Sequence, residues 1–290
     1  MTKGDEVAAF SLNGSETLPV GIRFFQGDIR EPARVTSVVE EVQPEAVYHL
    51  AAISSIGGAS RNPNLTFAVN VGGTYNLVEA VRNSRSRARL LNVSTSHVYG
   101  HQESITEDSA IEPLTPYATS KAIAELVPRL FVDVDYVTVR PFNHSGPGQN
   151  TDYVLPSFAA QIAAMESGLI PPVLEVGDID IERDFLDVDD VVRAYRLLLE
   201  HGQASNIYNL SSGRSYSLRF LLEIFREMAT VRFEVKIHSN RLRQGQPQAI
   251  SAHPGKLQRD TSWVPIVSIR ETIRSLLSFW RSKTVLTMAR

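Results

Sequence analysis

Tyr117 and Lys121 stand four residues apart in Pro116-Tyr117-Ala118-Thr119-Ser120-Lys121, and Thr95 lies 22 residues upstream of the tyrosine, in the hydroxyl cluster Ser94-Thr95-Ser96. On a helix, residues i and i+4 share one face, which sets the Lys121 ammonium beside the Tyr117 phenol. A neighbouring positive charge favours phenolate and draws a tyrosine pKa down from about 10. A phenol tuned in this way hands a proton to a carbonyl oxygen, or takes one from an alcohol. A hydroxyl such as that of Thr95 can hold the same oxygen by a hydrogen bond. Of the nine tyrosines only Tyr117 has a lysine at i+4. Taken alone, the pair also reads as an exposed helical pair and Thr95 as a strand-end hydroxyl, so the surrounding pattern has to decide.

That pattern is an alternation of short β-rich runs with helical ones, the signature of a parallel sheet with crossover helices. Segments 6–12, 46–52, 89–95 and 135–140 read as strands. Segments 31–43, 64–82 and 116–130 read as helices, with Pro32 suited to a first helical position and Pro128 set to end or kink the third. Thr95 then falls at a strand end and Tyr117 near the start of a helix. Beyond Pro141 a Gly-, Pro- and Asn-rich loop reads as a site lining. Later helices show apolar spacing at Leu218, Leu221, Leu222 and Phe225 and at Ile269, Ile273, Leu276, Leu277 and Trp280. Ser268 and Glu271 make a capping box for the last of them. Asp187, Asp189 and Asp190 suit a helix start better than a metal cluster.

A chain of 290 residues has room for one large domain or two joined ones. Its net charge of −3 and hydrophobic content of 43% give no pointer to nucleic acid or an anionic membrane. No apolar run nears the roughly 20 residues of a membrane span, and the first residues lack a signal-peptide core. There is no cysteine, which removes thiolate nucleophiles, disulfides and cysteine metal sites. No metal site is expected, and the expected address is the cytoplasm.

Together the motifs resemble the extended short-chain dehydrogenase/reductase family acting on nucleotide sugars, in its branch of GDP-4-keto-6-deoxy-mannose reductases and GDP-mannose 4,6-dehydratases. The pieces carrying this are His49-Leu50-Ala51-Ala52, Asn70-Val71-Gly72-Gly73-Thr74, Ser94 to Gly100, Tyr117 with Lys121, Arg140 to Gln149, and Arg183-Asp184-Phe185-Leu186-Asp187-Val188. The resemblance implies an α/β fold, a doubly wound Rossmann-like parallel sheet with a smaller C-terminal substrate lobe. Residues 1–150, joined by parts of 181–211, would form the NAD(P)-binding domain and 151–290 mainly the substrate lobe. It implies Thr95, Tyr117 and Lys121 as the catalytic set. Asp28, Ile29, Leu50, Ala51, Ala52, Asn70, Lys121 and Phe142 would serve the cofactor. Thr95, His97, Asn143, Arg183 and Arg243 would serve a nucleotide-sugar substrate, a GDP-sugar by this likeness. A homodimer is also implied.

Four departures shape the expectations. The family's opening strand and Gly-x-x-Gly-x-x-Gly loop, whose amides hold the cofactor diphosphate, have no counterpart in this sequence. The sheet is therefore expected to lack its first strand, and cofactor binding to suffer. Ser11-Leu12-Asn13 offers neither the acid of an NAD enzyme nor the arginine of an NADP enzyme, leaving that choice open. Pro128 falls within the active-site helix. His97 replaces a glutamate common in the dehydratases, which favours reduction over loss of water. The expected activity is reduction of the 4-keto group of a GDP-4-keto-6-deoxy-hexose with NADH or NADPH. A 4-epimerase or 4,6-dehydratase on the same scaffold, or a non-catalytic homologue, stand as alternatives.

Overall fold

In a computed structural model the described residues are 5–14, 18–102, 105–238 and 249–288. The chain divides into two compact units, the first drawn from Met1–Val98, Ile111–Val139 and Leu198–Ile207, the second from Tyr99–Ala110, Arg140–Leu197 and Tyr208–Arg290.

In the first unit β1 (Ala8–Ser11) and β2 (Arg23–Gln26) pair in parallel, Phe10 opposite Phe25. Helix α1 (Pro32–Val42) opens with its proline where no backbone N–H is needed and buries Val35, Val38 and Val39. β3 (Ala46–His49) stops three residues short of the expected end: its last parallel partner, facing His49, is Asn92. The single helix expected over 64–82 is instead three pieces. After α2 (Ile56–Arg61) come α3 (Pro63–Phe67), a π-helical turn over Ala68–Gly72, and α4 (Gly73–Asn83). α4 packs on α1 around Ile29, Val35, Val39, Leu77 and Val78. A Cβ on Gly73 would lie 2.6 Å from the Ile29 side chain, so only glycine allows that approach.

β4 (Arg89–Val93), α5 (Pro116–Ala124) and β5 (Tyr136–Pro141) complete the frame of the candidate site. The expected helix over 116–130 ends at Ala124, because Pro128 has no N–H to continue it. The chain tightens there, with Leu126 N–H bonding to the Ile123 carbonyl and Val127 N–H to Ala124, and a short 3₁₀ turn spans Pro128–Leu130.

The second unit holds β6 (Asn143–Ser145), α6 (Val154–Glu166), β7 (Val173–Val176), β8 (Glu182–Asp187) and all but the last turn of α7 (Val188–His201). It continues with β9 (Ile207–Leu210), β10 (Ser215–Ser217), α8 (Leu218–Met228), β11 (Glu234–Ile237), β12 (Ala249–Ile250), α9 (Gly255–Thr261) and α10 (Ile269–Met288). β8 is central, flanked by β10 and β12 and also paired with β6. Leu221, Leu222, Phe225, Ile273, Leu276 and Leu277, the residues whose spacing marked two helices, all lie in one buried cluster. The Ser268–Glu271 capping box forms, each residue bonding the other's backbone N–H.

The fold is α/β and Rossmann-like, but its first five strands fall into two sheets. β1 pairs with β2 alone, while a four-stranded sheet runs β3-β4-β5-β9. Among the described residues no strand joins β1 to β3. Parallel sheets are ordinarily covered on both faces. Here Tyr48 on β3 and Leu50 just beyond it are 46% and 60% exposed, which marks an uncovered side at this edge. No described helix is long and apolar enough to cross a membrane.

Candidate active site

The strand end after β4 and the first turns of α5 meet within the first unit. Ser94 still follows the sheet, its N–H bonding to the Val139 carbonyl at 2.8 Å. The chain then turns through a 3₁₀ segment over Ser96–Tyr99. Thr95 is buried, and its Oγ1 accepts the His97 N–H at 3.3 Å. The His97 ring meets the Tyr117 ring edge-on, centroids 6.2 Å apart. α5 begins at this place because Thr115 caps it, its hydroxyl accepting the Ala118 N–H, and Pro116 takes the first position. Thr95, Tyr117 and Lys121 are 5%, 9% and 4% exposed, so the exposed-pair reading of Tyr117 and Lys121 fails.

Burial lowers the Lys121 amine to about 8, against an upward pull from the Glu125 carboxylate one turn further on. His49, at the end of β3, is driven down to about 3 by burial first and by the Lys121 charge second. It is therefore neutral at physiological pH, bonded through Nε2 to the Thr74 hydroxyl at 2.8 Å. Asn70 sits on the π-helical turn, a local distortion often found at functional sites. Its amide oxygen takes the Ile53 N–H, and its nitrogen donates to the Ile53 carbonyl and to Ser120 Oγ at 2.9 Å. Ser120 in turn donates to the Tyr117 carbonyl. Asn70 thus ties the chain after β3 to the helix bearing Tyr117 and Lys121.

The other expected site residues are placed as follows. Asp28 is clasped by the Arg30 guanidinium, and that hydrogen bonding holds its carboxyl below the usual range. The Ile29 side chain lies in the core, while its carbonyl accepts from Asn76. Leu50 and Ala51 are exposed and Ala52 half-buried. Phe142, Asn143 and Arg183 belong to the second unit. Phe142 is buried, with its N–H on the Leu210 carbonyl, and Asn143 opens β6 half-buried. Arg183 is 8% exposed on β8 and donates to the Glu182 carbonyl. Arg243 lies outside the described residues.

The aspartates after Arg183 serve structure. Asp184 accepts the Ser212 and Gly213 N–H groups, and burial nonetheless raises it to about 6. Asp190 accepts those of Ile266 and Val267 and pairs with Arg193. Tyr99 and Arg140, both within family-like motifs, bond to each other at 2.7 Å, and Tyr99 donates to Asn209. Two residues of the site escaped the sequence reading. Ser120 is buried on α5 and Glu125 at its C-cap, where the Ser94 hydroxyl bonds to it. Glu125 had a signal: it stands at i+4 from Lys121, on the face that carries Tyr117 and Lys121.

A nicotinamide cofactor can be tested against these residues. A buried cation and two hydroxyls fit the ribose and carbonyl ends of such chemistry. The diphosphate end finds no glycine-loop cradle in the sequence, and the sheet is open between β1 and β3.

Comparison with known proteins is consistent with this geometry. The family model described as GDP-mannose 4,6 dehydratase matches residues 7–276. The chain belongs to the GDP-mannose 4,6-dehydratase family. Within that family it is 37% identical over 273 residues to the GDP-6-deoxy-D-mannose reductase of Pseudomonas aeruginosa, covering 92% of this chain and 88% of that protein. It is 27% identical over 234 residues to the GDP-6-deoxy-D-talose 4-dehydrogenase of Aggregatibacter actinomycetemcomitans, covering 79% of this chain and 77% of that one. Among solved structures, RMD from Pseudomonas aeruginosa complexed with NADPH superposes with a TM-score of 0.85 at 33% identity, over 96% of this chain and 99% of that one. The UDP-glucose 4-epimerase of Thermus thermophilus in complex with NAD gives 0.84 at 30%, over 96% and 92%.

Proposed function

We propose that the chain is a nucleotide-sugar oxidoreductase that reduces the 4-keto group of a GDP-4-keto-6-deoxy-hexose with NADH or NADPH. The observation that supports it most is the buried cluster of Thr95, Tyr117 and Lys121, with half-buried His97 against the tyrosine ring, in a chain similar to a GDP-sugar reductase over 88% of that enzyme. A bound nicotinamide supplies the hydride. Tyr117 gives its phenolic proton to the C4 oxygen, so the ketone leaves as an alcohol and the residue as phenolate. Thr95 donates a hydrogen bond to the same oxygen and polarises the carbonyl. The Lys121 charge stabilises the phenolate and is placed to take a ribose hydroxyl. His97 stands where the dehydratases commonly carry a glutamate, which favours reduction over loss of water across C5 and C6.

Further roles follow the same reading. By the family likeness, Phe142 would hold the nicotinamide, Leu50, Ala51 and Ala52 the diphosphate, and Asp28 and Ile29 the adenine. Asn70 acts by holding α5. Asn143 faces the sugar, and Arg183 and Arg243 take the substrate phosphates, for which a guanidinium fork is suited. The likeness to 4-epimerases favours a second reading, in which hydride returns to the sugar. The two are separated by incubating the protein with a GDP-4-keto-6-deoxy-hexose and NADPH or NADH. Stoichiometric loss of reduced nicotinamide with a 4-hydroxy product is expected; turnover without net cofactor loss supports the epimerase instead. Without the glycine-loop amides, NADPH is expected to bind this 290-residue chain about a hundredfold more weakly than the Pseudomonas reductase, the scale of a lost charge-assisted hydrogen bond or two. Calorimetry reads this, and equal affinity would overturn the account of the diphosphate end.

We also infer a homodimer. Tyr75 on α4, Ile123 on α5, and Leu126 and Leu130 beyond it are 40%, 39%, 51% and 68% exposed, more apolar surface than a solvated helical layer needs. Sedimentation at micromolar protein is expected to show a dimer, and Leu126→Glu with Leu130→Glu to give a folded monomer. A wild-type monomer would sink the inference.

A further inference from the structure

The catalytic set is assembled from two pieces of chain, a strand end carrying Thr95 and a helix carrying Tyr117 and Lys121. Two contacts fasten one to the other below the reacting groups. Asn92 Nδ2 donates to the Ala124 carbonyl at 3.4 Å, and the Ser94 hydroxyl donates to Glu125 Oε1. Glu125 is 4% exposed, its N–H bonds to the Lys121 carbonyl at 3.0 Å, and its side chain lies one turn along the face that carries Lys121. A buried carboxylate is costly unless it is bonded and set against a positive charge. Ser94 satisfies the first need and Lys121 the second.

We infer that Glu125 is a positioning residue: held by Ser94, its carboxylate locks α5 to the strand end that bears Thr95 and keeps the buried Lys121 charged for its work beside Tyr117. The inference rests on the catalytic reading of Tyr117 and Lys121 given above. Without a counter-charge, a lysine buried to this degree gives up its proton within the physiological range. Neutral, it could no longer stabilise a phenolate. Two described titratable groups interact with the Lys121 charge, His49 at the end of β3 and Glu125 at the C-cap of α5, while Tyr117 stands one turn before it on the helix. With His49 held neutral by burial, Glu125 is the one anion acting on Lys121 in this set. The same carboxylate that fixes the helix therefore also sets the charge state of the lysine, a coupling that a purely structural clasp would not have.

The chain has only five lysines, Lys3, Lys121, Lys236, Lys256 and Lys283, so ¹³C-lysine-labelled protein gives a countable spectrum in which Lys121→Arg assigns one signal. Titrated without substrate or cofactor, the Lys121 signal is expected to move to lower pH by about one unit in Glu125→Gln, the scale of one lost close counter-charge. Glu125→Asp, which keeps the charge, is expected to remain near wild type. In turnover assays the alkaline limb of the pH–rate profile should move down with the titration in Glu125→Gln, and kcat at neutral pH should fall about tenfold. An unmoved Lys121 titration in folded Glu125→Gln overturns the inference. If Glu125→Gln does not fold, Lys121→Met in the same chain is expected to restore folding, since no unpaired ammonium remains; a double variant that stays unfolded overturns it too. Because the titration needs no turnover, a moved signal in a protein that reduces no GDP-sugar would sink the functional reading and leave this one standing.

Discussion

Tyr117→Phe is expected to lower turnover of a GDP-4-keto-6-deoxy-hexose at least about a hundredfold, the scale of a lost general acid. The ring is 9% exposed and packed edge-on against His97, and phenylalanine fills the same space. Folding and cofactor affinity should therefore stay close to wild type, and the loss should appear in kcat rather than KM. Thr95 gives the matching control. Thr95→Ser keeps a hydroxyl where the His97 N–H also finds it, and should retain most activity, while Thr95→Ala should not. Near-normal kcat in Tyr117→Phe would sink the mechanism, because no other described proton donor stands in its place beside Lys121.

The pairing of Tyr117 with Lys121 on one buried helix was legible from sequence because its signal is local. A tyrosine and a lysine at helical spacing, behind a threonine cap and a proline, can be read without knowing any partner. The strands β4 and β5 were legible for the same reason: both are apolar runs, buried on both faces, within a residue or two of the expected bounds. What escaped depends on long-range pairing. The π turn at Asn70 exists because its side chain bonds across 17 residues to Ile53 and across 50 to Ser120, which no helical periodicity reveals. Glu125 has a spacing signal, at i+4 from Lys121, but nothing in its own neighbourhood that marks it as buried. Only its bond to Ser94, 31 residues away, shows it to be buried. The early end of β3 belongs with these, since a strand lasts only as far as its neighbour supplies partners. The opening between β1 and β3 was the exception: it is long-range, yet it followed from a motif the sequence lacks.

Lys121→Met is expected to abolish turnover and to make the protein more stable at neutral pH. Burial holds this amine at about 8 in the fold against an ordinary 10.5. Between those two values the unfolded chain carries the extra proton, so stability rises with pH across that window, by about 1.4 kcal/mol for each pH unit. Below about 8 the whole penalty is present, up to about 3 kcal/mol. Methionine has a similar length and no charge to bury, so the variant should recover much of that amount. The gain is reduced by the counter-charge that Glu125 loses, but Ser94 still bonds that carboxylate. Chemical denaturation at pH 7 and again near pH 10 measures the effect: the variant's advantage should be present at the lower pH and shrink at the higher. A less stable variant at pH 7, or an advantage independent of pH, would mean that Lys121 is not held charged at a cost. If the expected pattern is found, the residue is kept against folding stability for what it does to Tyr117. That trade is common where a site needs a charge the core would otherwise reject.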